Sequence, residues 1–188
     1  MKQIIRTVLI GFLLFNISCS QNYHAEVLPD SLLINDVISS VIHIDSIELN
    51  NYYISNPIKN ISTYESIELK NDTIIAPPPP FSISTEELFS YFNSAAEKPI
   101  GQKDSVFIAL QLDTKKEITL SKKIISDFNF NSKKFYLFSI PVFSSNKQLV
   151  LVYYWRNCGN LCGDCHILIL KKEEKGWIKI KHWSCGVS

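Results

Sequence analysis

What the sequence withholds narrows its chemistry first. Its 19 Lys and Arg residues stand against 18 Asp and Glu, a formal net charge of +1, so no field draws in nucleic acid or a strongly acidic ligand. Nucleic acid is therefore not an expected partner. No G-x-S-x-G, H-E-x-x-H or phosphate-cradling glycine loop occurs, and the Ser, His and acidic residues assemble into no recognisable catalytic set. An enzyme reading would need a site without a known signature. Self-similarity at a solenoid period is also missing. The only methionine is the initiator, which removes Met as an axial haem ligand. No run approaches the roughly 20 apolar residues of a membrane span.

The N-terminus is an address. Lys2 and Arg6 precede a short apolar run, Val8 to Phe15, followed by "FNISCSQN" with no acidic residue before Glu26. Charged start, short apolar centre and small-residue exit describe a secretory signal. Ile17-Ser18-Cys19 resembles the lipobox of bacterial lipoproteins, with Asn16 where Leu is usual. On that reading residues 1–19 are a signal peptide and Cys19 is lipidated, which places the protein in the cell envelope, held to a membrane by its lipid. The rival readings are plain secretion with cleavage after Ser20, or Cys19 as a disulfide partner. Residues 20–188 are expected to form one exported domain of roughly 170 residues, enough for a continuous core. Asn60 and Asn71 fit the glycosylation sequon, and in a bacterial lipoprotein both are expected to be incidental.

Along the chain, "PDSLLINDVISSVIHI" sets Leu33, Val37 and Val41 on one face, widened by Leu32, Ile34, Ile38 and Ile42, with Asp30 or Ser31 to cap it. This predicts a buried amphipathic helix. "SIELNNYYIS" and "TYESIELKNDTII" read as strands. The N-terminal half runs to about residue 76, and the prolines at 77–80 form a rigid connector. In the C-terminal part, 81–188, "STEELFSYFNSAAEKP" has a capping-box start at Ser84 or Thr85, an apolar face of Leu88, Phe89 and Phe92, and a stop at Pro99. "SVFIALQLD" reads as a strand and "TLSKKIISDF" as a short helix or turn. From Lys134 onward "KFYLFSIPVF", "QLVLVYYWR", "HILILKK" and "WIKIKHWSC" predict an antiparallel meander of four strands. The fold class is therefore α+β, a mainly antiparallel sheet with two or three packed helices.

Between the second and third of these strands lies "NCGNLCGDCH". Cys158, Cys162, Cys165 and Cys185 are an even set in a compartment where thiols are oxidised. If the turn "KEEKG" is centred near Lys175, Leu170 faces Ile180 and Cys165 faces Cys185, within reach of a disulfide; Cys158 is left for Cys162. Two structural disulfides are the first choice. As an alternative, Cys162, Cys165 and His166 spell CxxCH, the attachment string of c-type haem, with His24, His43 or His182 for the sixth position. Against it, a strand follows where a helix would hold the porphyrin edge. Zinc could use Cys158, Cys162 and Cys165 with Cys185, His166 or His182, in a spacing that matches no finger or ribbon. CxxxCxxC as an iron–sulfur triad is set aside, and a thioredoxin-like "CGDC" lacks the helix N-terminus that lowers a thiol pKa. His166 reads as a strand histidine. Tyr153, Tyr154, Trp155, Trp177 and Trp183 read as core and cross-strand partners, or as an aromatic binding platform.

"FSIPVFSSNKQLVLVYYWRNCGNLCG", "ILILKKEEKGWIKIKHW" and the terminal "VS" resemble the C-terminal portion of an uncharacterised group of exported Bacteroidota proteins with a CGxLCG loop and a GxW hairpin. The resemblance covers Phe138 to Ser188 and implies membership of a group without assigned chemistry; "DCH" and Cys185 depart from its pattern. The expectation is an exported, lipid-anchored domain that binds or scaffolds. It needs no cofactor, metal or catalytic residue, and its ligand is an unidentified protein or small molecule.

Overall fold

The computed structural model describes residues 29–47, 52–64, 82–114, 116–125, 134–159 and 162–187. Cys19, Asn71, the prolines at 77–80 and most of "TYESIELKNDTII" lie outside them. The elements are α1 (Ser31–Ile44), β1 (Tyr53–Ile54), β2 (Ile58–Lys59), β3 (Ser62–Tyr64), β4 (Ser82–Ser84), α2 (Thr85–Ala95), α3 (Gln102–Asp113), β5 (Glu117–Ile118), α4 (Lys122–Ile125), β6 (Phe135–Phe138), β7 (Val142–Phe143), β8 (Leu149–Gly159), β9 (Cys162–Glu173) and β10 (Gly176–Val187). The main sheet runs β1-β6-β8-β9-β10, with β7 also on β8. Only β1 against β6 is parallel there. The fold is α+β, as expected. The meander is present, and its first strand is split at Ser139–Pro141. Proline cannot donate to a ladder, and the buried Ser139 hydroxyl takes up the Tyr153 N–H at 3.3 Å.

Parity along β8 builds the core. Val150, Val152 and Tyr154 point to one face, where Ile34, Val37, Ile38 and Val41 of α1 meet them. Leu151 and Tyr153 point to the other, against Leu88 and Phe92 of α2 and Ile108 of α3. The sheet is thus buried on both sides, and each fully buried aliphatic side chain contributes about 2 kcal/mol of transfer free energy. Asp30 caps α1 by accepting from Leu33 N at 2.7 Å, and Ser84 caps α2 by accepting from Glu87 N at 3.1 Å. Leu32, read as part of the buried face of α1, is 79 % exposed.

Two expectations are corrected. "SVFIALQLD" is helical, within α3: Phe107 and Gln111, and Ile108 and Leu112, are spaced i, i+4 and turn inward, while Val106 is 52 % exposed. β-Branched content at Val106 and Ile108 hid that period. The helix ends on Asn60, whose amide donates to Gln111 O at 3.0 Å and to Thr114 O. That half-buried, bonded amide is ill placed to carry a glycan.

The second correction concerns register. The turn between β9 and β10 has two residues, Glu174 and Lys175, followed by Gly176 at φ 130°, a conformation suited to glycine. This makes Leu170 face Lys179, not Ile180. Ile180 is a bulge, and beyond it the offset shifts by one residue, so that Cys165 faces Cys185 as expected.

Candidate functional site

Strand β8 has 11 residues and α1 has 14, lengths of about 37 Å and about 21 Å at their respective rises. The hairpin of β8 and β9 therefore overhangs the helix that covers it. Helix α1 stops in a Schellman turn, with Ser46 N donating to His43 O at 3.3 Å and Ile47 N to Ile42 O at 3.0 Å. Beyond that stop the sheet face turns polar and lines a cleft of about 470 Å³.

Ser46 takes φ 48° at the left-handed position of this turn. Ser46→Gly should raise stability by about 0.5–1 kcal/mol, because glycine meets no Cβ clash there. Thermal melting of the two proteins checks this, and an unchanged or lower Tm would refute it.

The cleft is built by cross-strand pairing. Arg156 lies opposite Asp164 and Tyr154 opposite His166 across β8 and β9. Arg156 grips Asp164 with both arms, Nε to Oδ1 at 2.9 Å and a terminal nitrogen to Oδ2 at 2.6 Å. Asp164 Oδ2 also lies 3.4 Å from His166 Nε2. The other ring nitrogen of His166, Nδ1, is 2.9 Å from His182 Nε2. Tyr154 stacks on His166 with centroids 4.6 Å apart and donates its hydroxyl to Asp45 Oδ2 at 2.8 Å. Lys179 donates to the other oxygen of Asp45, whose side chain is 8 % exposed. Tyr52 and Tyr136 line the same cleft.

The bulge decides which β10 side chains reach this cleft. Lys179 and His182 are three residues apart, and in a regular strand they would point to opposite faces. The extra residue at Ile180 turns both into the cleft.

Electrostatics follow the contacts. Burial pushes the His166 imidazole below its ordinary pKa, while the Asp164 charge pulls it upward less strongly. Burial also pushes the Asp164 carboxyl up, but the Arg156 hydrogen bonds and charge outweigh it and hold that carboxyl low. The Tyr154 phenol is raised, first by burial and then by its bond to Asp45. A carboxylate, an imidazole and a second imidazole therefore stand in line, the first fixed by arginine.

All four remaining cysteines sit at the same end of the sheet. Cys158 is joined to Cys162 and Cys165 to Cys185, with Cα separations of 5.2 Å and 5.0 Å. The first closes the tip of the β8–β9 hairpin; the second crosses to the edge strand β10. Every thiol that the CxxCH or zinc readings would use is thereby engaged. Cys162 and Cys165 are also three apart in one strand, hence on opposite faces, an arrangement that does not fit two thioethers to one porphyrin. His43 is exposed on α1, away from the cleft lining. Trp155 lies over Gly163, where a Cβ would come within 2.8 Å of the indole. Trp177 is buried and donates to Asp36 at 2.9 Å, and Trp183 meets Tyr91 at 4.5 Å. These aromatics are core and cross-strand partners; Tyr154 alone of the five lines the cleft.

Sequence reasoning named His166 and His182 only as alternative haem or zinc ligands beside the cysteines, and missed Arg156, Asp164, Asp45 and Lys179. Counting the β8–β9 register back from the CGNLCG loop would have set Arg156 against Asp164. No signal in the sequence marks the bulge or the stop of α1 over this face. Compared with family models, curated proteins and solved structures, the chain matches none.

Proposed function

We propose that this is an exported cell-envelope domain, anchored through a lipid on Cys19, that binds a small polar ligand in the cleft without catalysis. The observation that carries the binding reading is the cleft itself: aromatic walls of Tyr52, Tyr136 and Tyr154 around Arg156, His166, Lys179 and His182. The lining is mainly polar, with charged and hydrogen-bonding groups converging between tyrosine rings, which suits a small polar ligand better than an apolar one. Its carboxylates are held by neighbouring cations, so the walls are ordered before a ligand arrives. Two disulfides at the same end of the sheet brace the strands that carry these walls and suit an oxidising compartment. The resemblance to exported Bacteroidota proteins and the signal-like N-terminus support the address.

Two measurements test the reading. Alkyne-labelled palmitate should enter the wild-type protein and not Cys19→Ala, which should appear in the soluble fraction; label on the Cys19→Ala protein would end the lipid claim. Amide spectra of oxidised protein, titrated with amino acids, monosaccharides and inorganic phosphate, should shift at Tyr154, Arg156 and His166 for at least one probe. Arg156→Ala should abolish that shift. A cleft that responds to none of the probes would overturn binding as the function.

A further inference from the structure

We propose that His166 and His182 form an open binding site for a borderline divalent transition ion such as Zn²⁺. Three observations point there. The Nδ1 of His166 and the Nε2 of His182 converge to 2.9 Å, while tetrahedral zinc at about 2.0–2.1 Å from each nitrogen needs roughly 3.3 Å between them. A movement of a few tenths of an ångström by the exposed His182 supplies the difference. Secondly, His166 Nε2 is directed at Asp164 Oδ2, 3.4 Å away. With its proton on Nε2, toward that carboxylate, His166 would turn the Nδ1 lone pair to His182, where zinc can take the place of the proton the two rings share. Carboxylate, imidazole and metal in that order are the common orientation of a metal-bound histidine. Thirdly, Arg156 holds both oxygens of Asp164, so the orienting carboxylate is itself fixed.

Among the described residues no group of three His, Cys, Asp or Glu converges as a metal site. The two imidazoles therefore leave coordination positions to water or to a molecule in the cleft. Imidazole donors suit Zn, Cu and Ni better than Mg or Ca. This site differs from a thiolate centre, because the cysteines remain bonded to each other, and it does not rest on the small-ligand reading.

Calorimetric titration of the oxidised full-length protein with zinc chloride tests it. One saturable ion per chain is expected, with disulfide mass unchanged. His182→Ala should remove the saturable heat, and so should His166→Ala. Asp164→Asn, which keeps the shape but loses the carboxylate charge, should weaken binding roughly 10- to 100-fold. Should His166→Ala fail to fold, His182→Ala at the exposed side of the cleft still decides the matter. Zinc heat that survives in the double His166→Ala, His182→Ala protein would show adventitious binding and overturn the proposal, as would a folded wild type with no saturable heat. Repeating the amide titrations with and without zinc separates the two readings: a cleft can bind zinc and no solute, or a solute and no zinc.

Discussion

Replacing Cys165 and Cys185 together by alanine should lower the stability of the oxidised protein by about 3 kcal/mol. The bond spans a sequence separation of 20, and closing a loop of that length removes conformational freedom mainly from the unfolded chain. Cys158 and Cys162 are separated by only 4, so the matching double alanine variant should cost less, about 2 kcal/mol. Urea unfolding of both variants measures the difference. Equal losses, or a larger loss for the hairpin-tip pair, would refute the ordering. Mass spectrometry of wild type with and without reduction should show four hydrogens gained. The bulge makes a sharper check. Ile180 is the extra residue of β10, so its deletion leaves Cys185 opposite Cys165. The disulfide should persist in that variant, and Lys179 and His182, then two residues apart on a regular strand opposite Leu170 and Leu168, should still share the cleft. A deletion variant with free thiols at Cys165 and Cys185 would overturn this account of the register.

The same bulge shows how far the sequence could be read. The β-branched and aromatic content of "QLVLVYYWR" announces a strand, and the structure buries it on both faces, with Val150, Val152 and Tyr154 against α1 and Leu151 and Tyr153 against α2 and α3. Caps were equally legible: Asp30 and Ser84 each accept from the N–H three residues on. These are short-range effects, fixed by residues close in sequence. The Cys165–Cys185 pairing was foreseen from a turn centred one half-residue too late, an error that the bulge at Ile180 cancels beyond that point. What could not be read depends on the relative lengths of packed elements. The overhang of β8 and β9 past the end of α1 turns Arg156, His166 and His182 from ordinary strand residues into the lining of a cleft. Nothing local to "RNCGNLCGDCH" states where a helix more than a hundred positions earlier will stop.

Gln111→Leu should destabilise the protein by about 3 kcal/mol, although it replaces a polar side chain in the core by an apolar one of similar size. Gln111 is 3 % exposed and faces β7 from α3. Its Nε2 donates to Phe143 O at 2.8 Å, and its Oε1 accepts from Phe143 N at 2.9 Å. Strand β7 has two residues, and β8 is the strand that pairs with it; the glutamine amide meets the outer N–H and C=O of Phe143 as another strand would. Phe143 is itself fully buried, so water cannot replace the lost partner without opening the core. Leucine would gain some transfer free energy and leave two buried backbone groups unbonded, each costing about 1–3 kcal/mol. The polar loss outweighs the apolar gain. Val106→Gln, on the exposed side of the same helix, should change stability by less than about 0.5 kcal/mol and controls for helix propensity. Urea midpoints for the two variants decide it. A Gln111→Leu protein as stable as wild type would mean that α3 does not dock on β7 through this amide. The helical reading of "SVFIALQLD", with Gln111 turned inward, would then lose its physical support.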